Sequence, residues 1–229
     1  MDFSNKNVVV TGGTGALGGA VVGALLDAGA RCIVPYAIEA EAQHFAHRGD
    51  PNLKLIAVTD LADEAMVDRV YQGLTPWASI HLAGGFAMGK VADTDKATLM
   101  AQLDTNLISC VLCCRAAVRA MRGGGRIVNV AARPALEWRG GAGMTAYTVA
   151  KAGVAALTVA LAEEVAKDGI LVNAVAPSIM DTPANRAAMP TANFGAWPKV
   201  EEVAATVLFL ASPENKVTRG AVVPVYGKS

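Results

Sequence analysis

Tyr147 and Lys151 stand four residues apart in a stretch, Thr145 to Lys167, that reads as a long helix, so the two side chains share one face. A free phenol has a pKa of about 10. A neighbouring ammonium favours the phenolate, which draws such a group towards working pH and makes it an acid/base catalyst. A second chemical feature lies near the start. An apolar strand ends at Thr11, glycines stand at 12, 15 and 18, and a helix follows. Gly12 permits a tight turn, Gly15 lets backbone approach a pyrophosphate, and Gly18 lets the helix pack on the strand. The unpaired N–H groups of the helix N-terminus then complete a dinucleotide phosphate site formed by Gly12, Thr14, Gly15, Ala16 and Leu17.

Both features need a scaffold, and the apolar pattern supplies one. Strands are expected at Asn7–Thr11, Arg31–Pro35, Leu53–Val58, Ser79–Leu82, Arg126–Val130, Ile170–Val175 and Ala221–Val225. Helices are expected at Ala20–Ala28, Glu39–Arg48, Ala62–Gly73, Lys96–Met121, Thr145–Lys167 and Val200–Leu210. Short apolar strands alternating with helices predict an α/β fold, a Rossmann-type doubly wound parallel sheet of about seven strands with helices on both faces. Residues 1–229 read as one nucleotide-binding domain. The stretch 178–199 lacks clear periodicity, holds three prolines and follows a strand end, so it is expected to be a substrate lid.

Composition narrows the class. The chain is 53% apolar but only 5% aromatic, and 20 basic residues balance 20 acidic ones. This balance offers no electrostatic case for nucleic acid or an anionic membrane. The N-terminal residues lack a basic leader pattern, and no uninterrupted apolar run approaches a membrane-spanning length, so a soluble cytoplasmic protein is expected. The four cysteines, at 32, 110, 113 and 114, show no metal-ligand spacing with one another or with histidine. They are read as small, reduced core residues, with no metal site. His81 is read as a structural residue at a strand end.

The neutral pair Pro35-Tyr36 follows the second strand, where a carboxylate would grip an adenosine ribose. Glu39 and Glu41 come several residues later. NAD and NADP therefore stay open as alternatives. Asp60 and Leu61, after the third strand, are placed to meet the adenine edge; Asp60 could equally cap the helix starting at Ala62.

With these pieces in order, the chain resembles the short-chain dehydrogenase/reductase family over nearly its whole length. The matching residues are TGGTGALG at 11–18, LAGG at 82–85, Asn106, YTVAK at 147–151 and NAVAPSIMDTP at 173–183. The resemblance implies an NAD(P)H-dependent oxidoreductase in which Tyr147 delivers a proton, Lys151 holds the nicotinamide ribose, and Asn106 links the lysine to solvent. Ala83, Gly84, Gly85, Pro177, Ile179 and Thr182 would line the cofactor. It also implies a homodimer or homotetramer built through the two long helices, whose small residues suit close approach.

The family serine is missing: the fifth strand runs out into Ala131-Ala132. This departure, with 83–89, 143–151 and the long stretch 181–197, resembles the dihydropteridine reductase branch. Reduction of a quinonoid dihydropterin is then expected, with Phe86, Ala132, Trp138 and Trp197 around the substrate. Reduction of another carbonyl or imine substrate is the alternative. A catalytically weak nucleotide-binding scaffold is a third reading, opposed by the intact Tyr147, Lys151 and Asn106.

Overall fold

The computed structural model describes residues 1–229. Seven strands form one sheet in the order β3-β2-β1-β4-β5-β6-β7. They are β1 (Asn7–Thr11), β2 (Arg31–Tyr36), β3 (Leu53–Ala57), β4 (Ala78–His81), β5 (Gly125–Val130), β6 (Ile170–Pro177) and β7 (Val222–Val225). Every pairing is parallel. The order reverses between β1 and β4, which opens a crevice at their carboxyl ends, where ligands bind in such sheets.

The helices are α1 (Ala16–Asp27), α2 (Glu39–Gln43), α3 (Glu64–Tyr71), α4 (Lys96–Leu103), α5 (Ser109–Ala120), α6 (Arg133–Leu136), α7 (Thr145–Glu164), α8 (Pro183–Ala188) and α9 (Val200–Ala211). Alternation along the strands divides the core in two. Val8 and Val10 join Val21, Val22 and Leu25 of α1 and Val203 and Val207 of α9 on one face. Val9, Ile127 and Val172 join Val67 and Val70 of α3, Cys113 and Ala117 of α5 and Val154 of α7 on the other. Both faces of the sheet are covered, which is why its strands read as continuous apolar runs.

All seven expected strands form, and the differences lie at ends and in loops. The first helix starts at Ala16 rather than Ala20, because the glycine turn leads directly into it. The third helix is shorter than expected. Asp63 caps it by accepting from the N–H groups of Ala65 and Met66. Asp60 is therefore not its cap; it accepts a separate bond from Ala62 N at 2.8 Å. The long helix expected over Lys96–Met121 is interrupted by a wider π-helical turn at Asp104–Ile108, between α4 and α5. Such turns often mark functional positions, and this one carries Asn106.

The continuous segments Lys96–Ala120 and Thr145–Glu164 are also long and apolar enough to cross a membrane by length and composition, which the sequence reading did not anticipate. Each lays one face on the sheet. Their other faces leave Met100, Val149 and Val159 at least 40% exposed.

The expected lid is more ordered than its sequence suggested. It contains α8, capped by the Thr182 hydroxyl at 3.2 Å from Asn185 N. Arg186 grips Asp181 through two bonds, of 2.6 and 2.7 Å. Asp181 N donates to Pro198 O and Lys228 N to Ala196 O, both at 2.9 Å, so the C-terminal residues fasten the segment at its far end.

Candidate active site

The crevice between β1 and β4 is built mainly from backbone. Gly12 has φ +65°, and a Cβ there would lie 2.6 Å from Ala83 N. A Cβ on Gly18 would lie 2.1 Å from Gly12 O, so only glycine lets α1 pack this closely on the turn. At Gly15 the only atom within 4 Å of an added Cβ is Gly12 O, at 3.4 Å, and the space beyond is open. No side chain caps α1, so its N-terminal N–H groups face that space undivided. An open shelf, free donors and a positive helix end fit the pyrophosphate of a dinucleotide.

The acids that looked too late in the chain are brought back by the short α2. Thr14 Oγ1 donates to Glu41 Oε2 at 2.7 Å, which places Glu41 over the glycine turn. Glu39 lies against Tyr36, whose hydroxyl is pushed above its ordinary pKa by the hydrogen bond with that carboxylate.

Across the crevice stand Tyr147 and Lys151 of α7. Lys151 is 5% exposed, and its Nζ donates to Val130 O, the last residue of β5, at 2.9 Å. Burial lowers its pKa to about 8. Burial also pushes Tyr147 up to about 12. The expected drop in the tyrosine pKa is therefore absent from the protein alone. The reason is distance: the ammonium lies 6.0 Å from the centre of the Tyr147 ring and is turned to the β5 carbonyl.

Asn106 is buried, and its amide is occupied by the loop after β4. Oδ1 accepts from Gly85 N at 3.1 Å, while Nδ2 donates to Gly85 O at 2.9 Å and to Gln102 O at 3.1 Å. The side chain thereby pins the Ala83–Gly85 wall beside Lys151. A Cβ on Gly84 would come 3.2 Å from the lysine Nζ.

A family model described as enoyl-(acyl carrier protein) reductase matches residues 13–227. Galactitol 2-dehydrogenase of Rhizobium johnstonii is 35% identical, covering 97% of this chain and 94% of its own. A (2S)-[(R)-hydroxy(phenyl)methyl]succinyl-CoA dehydrogenase subunit of Thauera aromatica is 31% identical, covering 99% and 97%. A solved oxidoreductase of the short chain dehydrogenase/reductase family from Burkholderia thailandensis superposes with a TM-score of 0.88 at 28% identity, over 97% of this chain and 91% of that one. The chain belongs to the short-chain dehydrogenase/reductase family.

This short-chain dehydrogenase/reductase is therefore an NAD(P)-dependent oxidoreductase. The shelf at Gly12–Leu17 meets that requirement on its own geometry. Pro177 closes β6 in the buried sheet, Ile179 is exposed just beyond it, and Thr182 is buried as the cap of α8.

The substrate side departs from the sequence reading in one respect. Phe86 is 60% exposed and stands edge-on to the Tyr147 ring, with centroids 5.1 Å apart. Trp138 is 73% exposed, its indole N–H held by Ala135 O at 2.9 Å. Ala132 is buried where β5 gives way to α6, so a methyl group occupies the place of the family serine. Trp197, by contrast, is buried against Phe194 at 5.0 Å, and Arg186 covers the Phe194 ring. Trp197 therefore packs within the segment 178–199, and its buried ring is not an exposed wall.

Sequence spacing also hid one cluster. His81, on β4, meets Cys110 and Cys114, on α5, in the buried space behind Lys151. No spacing rule connects residues on different elements, and only the sheet order brings them together.

Proposed function

We propose that this enzyme uses NADH to reduce a flat, electron-poor cyclic imine of the quinonoid dihydropterin type. The observation that carries the reading is the buried methyl of Ala132 just after β5, where the family serine would offer a hydroxyl to orient a ketone. A quinonoid pterin is already electron-poor and brings its own ring N–H groups and carbonyl. It needs a stacking surface and a proton donor more than a carbonyl anchor. The exposed Phe86 and Trp138 supply apolar surface at the mouth.

In this reading the bound nicotinamide supplies hydride. Tyr147 keeps its proton at neutral pH because burial holds its pKa near 12, and its hydroxyl donates that proton to the reduced ring nitrogen. Lys151, buried and fixed by Val130 O, would offer its remaining N–H groups to the ribose of a bound cofactor and balance charge as the tyrosine gives up its proton. Asn106 holds the Ala83–Gly85 wall in place. The segment 178–199 covers the substrate. Glu39 and Glu41 beside the ribose pocket would repel a 2′-phosphate, which supports NADH over NADPH. The exposed apolar faces of Lys96–Ala120 and Thr145–Glu164 support a homo-oligomer, with the two segments buried between subunits.

Purified protein should oxidise NADH in the presence of quinonoid dihydropterin and do so less well with NADPH. No rate above background with either nucleotide sinks the pterin reading. A second reading is the oxidation or reduction of a ring alcohol or its ketone. It draws on relatives such as a cis-4-hydroxycyclohexanecarboxylate dehydrogenase of Sinomonas cyclohexanicum, 33% identical over 98% of this chain. NAD+ reduction with cyclic alcohols, and no pterin turnover, would select it.

A further inference from the structure

The ligand atoms of His81, Cys110 and Cys114 all lie within 4.8 Å of one another, and all three residues are buried. A fourth group completes the cluster. Asn129 Oδ1, on β5, lies 2.8 Å from His81 Nδ1, 3.4 Å from Cys110 Sγ and 3.5 Å from Cys114 Sγ; Cys114 Sγ is also 3.5 Å from His81 Nδ1. Three donors thus converge on one amide oxygen that has two lone pairs. The arrangement over-supplies donors to a single buried acceptor.

We propose that His81, Cys110, Cys114 and Asn129 form a four-donor site for a zinc ion that ties β4, β5 and α5 together behind the active site.

The geometry carries this. Zinc takes four tetrahedral ligands, with bonds of about 2.0–2.3 Å to nitrogen, oxygen and sulfur. A regular tetrahedron with edges of about 3.4 Å has its centre about 2.1 Å from every corner, within that range. Three separations, of 3.4, 3.5 and 3.5 Å, match that edge, and Cys110 lies within 4.8 Å of both His81 and Cys114. The His81–Asn129 edge, at 2.8 Å, is shorter, and it opens when the ion replaces the hydrogen bond between them.

The surrounding groups already orient the donors as metal sites require. His81 Nε2 meets Ser79 Oγ at 2.8 Å, and Ser79 Oγ meets the buried Tyr71 hydroxyl at 2.6 Å. Asn129 Nδ2 donates to Thr158 Oγ1 at 3.0 Å, which turns the amide oxygen into the cluster. Cys110 and Cys114 are four apart on one helix and present their sulfurs on one side.

Proton balance is simple. Binding releases one proton from each thiol, and His81 binds through Nδ1 as neutral imidazole while Nε2–H donates to Ser79. Ser79 and Tyr71 are hydroxyls that can donate or accept, so the chain reverses its direction without losing a bond. Two thiolates offset the dication. Because the site is sealed, the ion enters during folding and leaves only on unfolding.

The experiment is to produce the full-length enzyme in zinc-supplemented medium, dialyse it without denaturant and measure bound metal. About one zinc per chain is expected in the wild type and under a tenth of that in Cys114→Ala. Cobalt(II), supplied during refolding, should give the intense thiolate and visible bands of a tetrahedral site. The Cys114→Ala and His81→Asn variants should lack them. His81→Asn retains hydrogen-bonding capacity towards Ser79 and Asn129, so it reports on the imidazole if the cysteine variant folds poorly. Zinc-free wild-type protein with the same melting temperature whether refolded with zinc or with chelator overturns the proposal. So does a cobalt spectrum unchanged by both variants.

Discussion

The two sides of the crevice are made of different materials. The β1/β4 side is backbone: glycines, free N–H groups and the α1 N-terminus, with side chains excluded by contacts as close as 2.1 Å. The β5/β6 side is side chain: Tyr147, Lys151, Ala132 and Trp138, met by Phe86 from the loop after β4, and the segment 178–199 held by its own ion pair and aromatic contact. Backbone recognises what every dinucleotide shares. Side chains recognise what differs between substrates. The first half tolerates little change in residue type, and the second is where one scaffold acquires a particular reaction.

This contrast can be broken at several points. The largest effect should come from Tyr147→Phe, which removes the proton donor and leaves the shelf intact. A fall in kcat of about 10²–10⁴-fold is expected, with nucleotide affinity unchanged, by steady-state kinetics and NADH fluorescence titration. Unchanged turnover would mean that the proton comes from elsewhere.

Next comes the glycine turn. Gly18→Ala places a methyl against Gly12 O, so both melting temperature and NADH affinity should drop. Gly15→Ala has room on the protein side and intrudes only on the ligand side. It should keep a normal melt while weakening NADH by about tenfold, or about 1.4 kcal/mol. Equal damage from the two would erase the distinction between packing glycine and ligand-facing glycine.

A smaller effect is expected from pH. Burial sets the Lys151 pKa at about 8, so its charge is present below that value and lost above it. Tyr147, near 12, stays protonated over the same range. Reductive kcat/KM should therefore fall about tenfold between pH 7 and pH 9, following the charged fraction of a group with that pKa. A profile flat to pH 10 would show that the ammonium charge is not needed.

The smallest effect separates the substrate readings. Ala132→Ser restores the hydroxyl that the family places there. If the substrate is a pterin-like imine, turnover should change less than about threefold, since no partner awaits the hydroxyl. A large gain with cyclic ketones would favour the second reading.

The order of strands and helices was legible because each strand is a buried apolar run and each helix has its own period, and both are local properties. The glycine turn and the Tyr147–Lys151 pair were legible for the same reason, since their chemistry depends on neighbours one to four residues away. The short α2 carries Glu41 back to Thr14 and was only partly readable, because its outcome depends on where the helix points. Trp197 could not be sorted from Phe86 and Trp138 by type: one is buried in the lid and two are exposed, and burial is decided by the docking of the C-terminal residues. Nor could the tyrosine pKa be read from spacing. Four residues on a helix put Lys151 on the same face as Tyr147, but the Val130 carbonyl captured its ammonium.

By itself, then, the sequence determined the sheet, its glycine shelf and the placing of Tyr147 and Lys151 on one helix, all set by local pattern and backbone sterics. Only the tertiary structure decided which groups face one another across elements. It placed Asn106 on Gly85 and Glu41 on Thr14. It brought His81 of β4 to Cys110, Cys114 and Asn129, because strand order and helix packing join residues that no spacing along the chain connects.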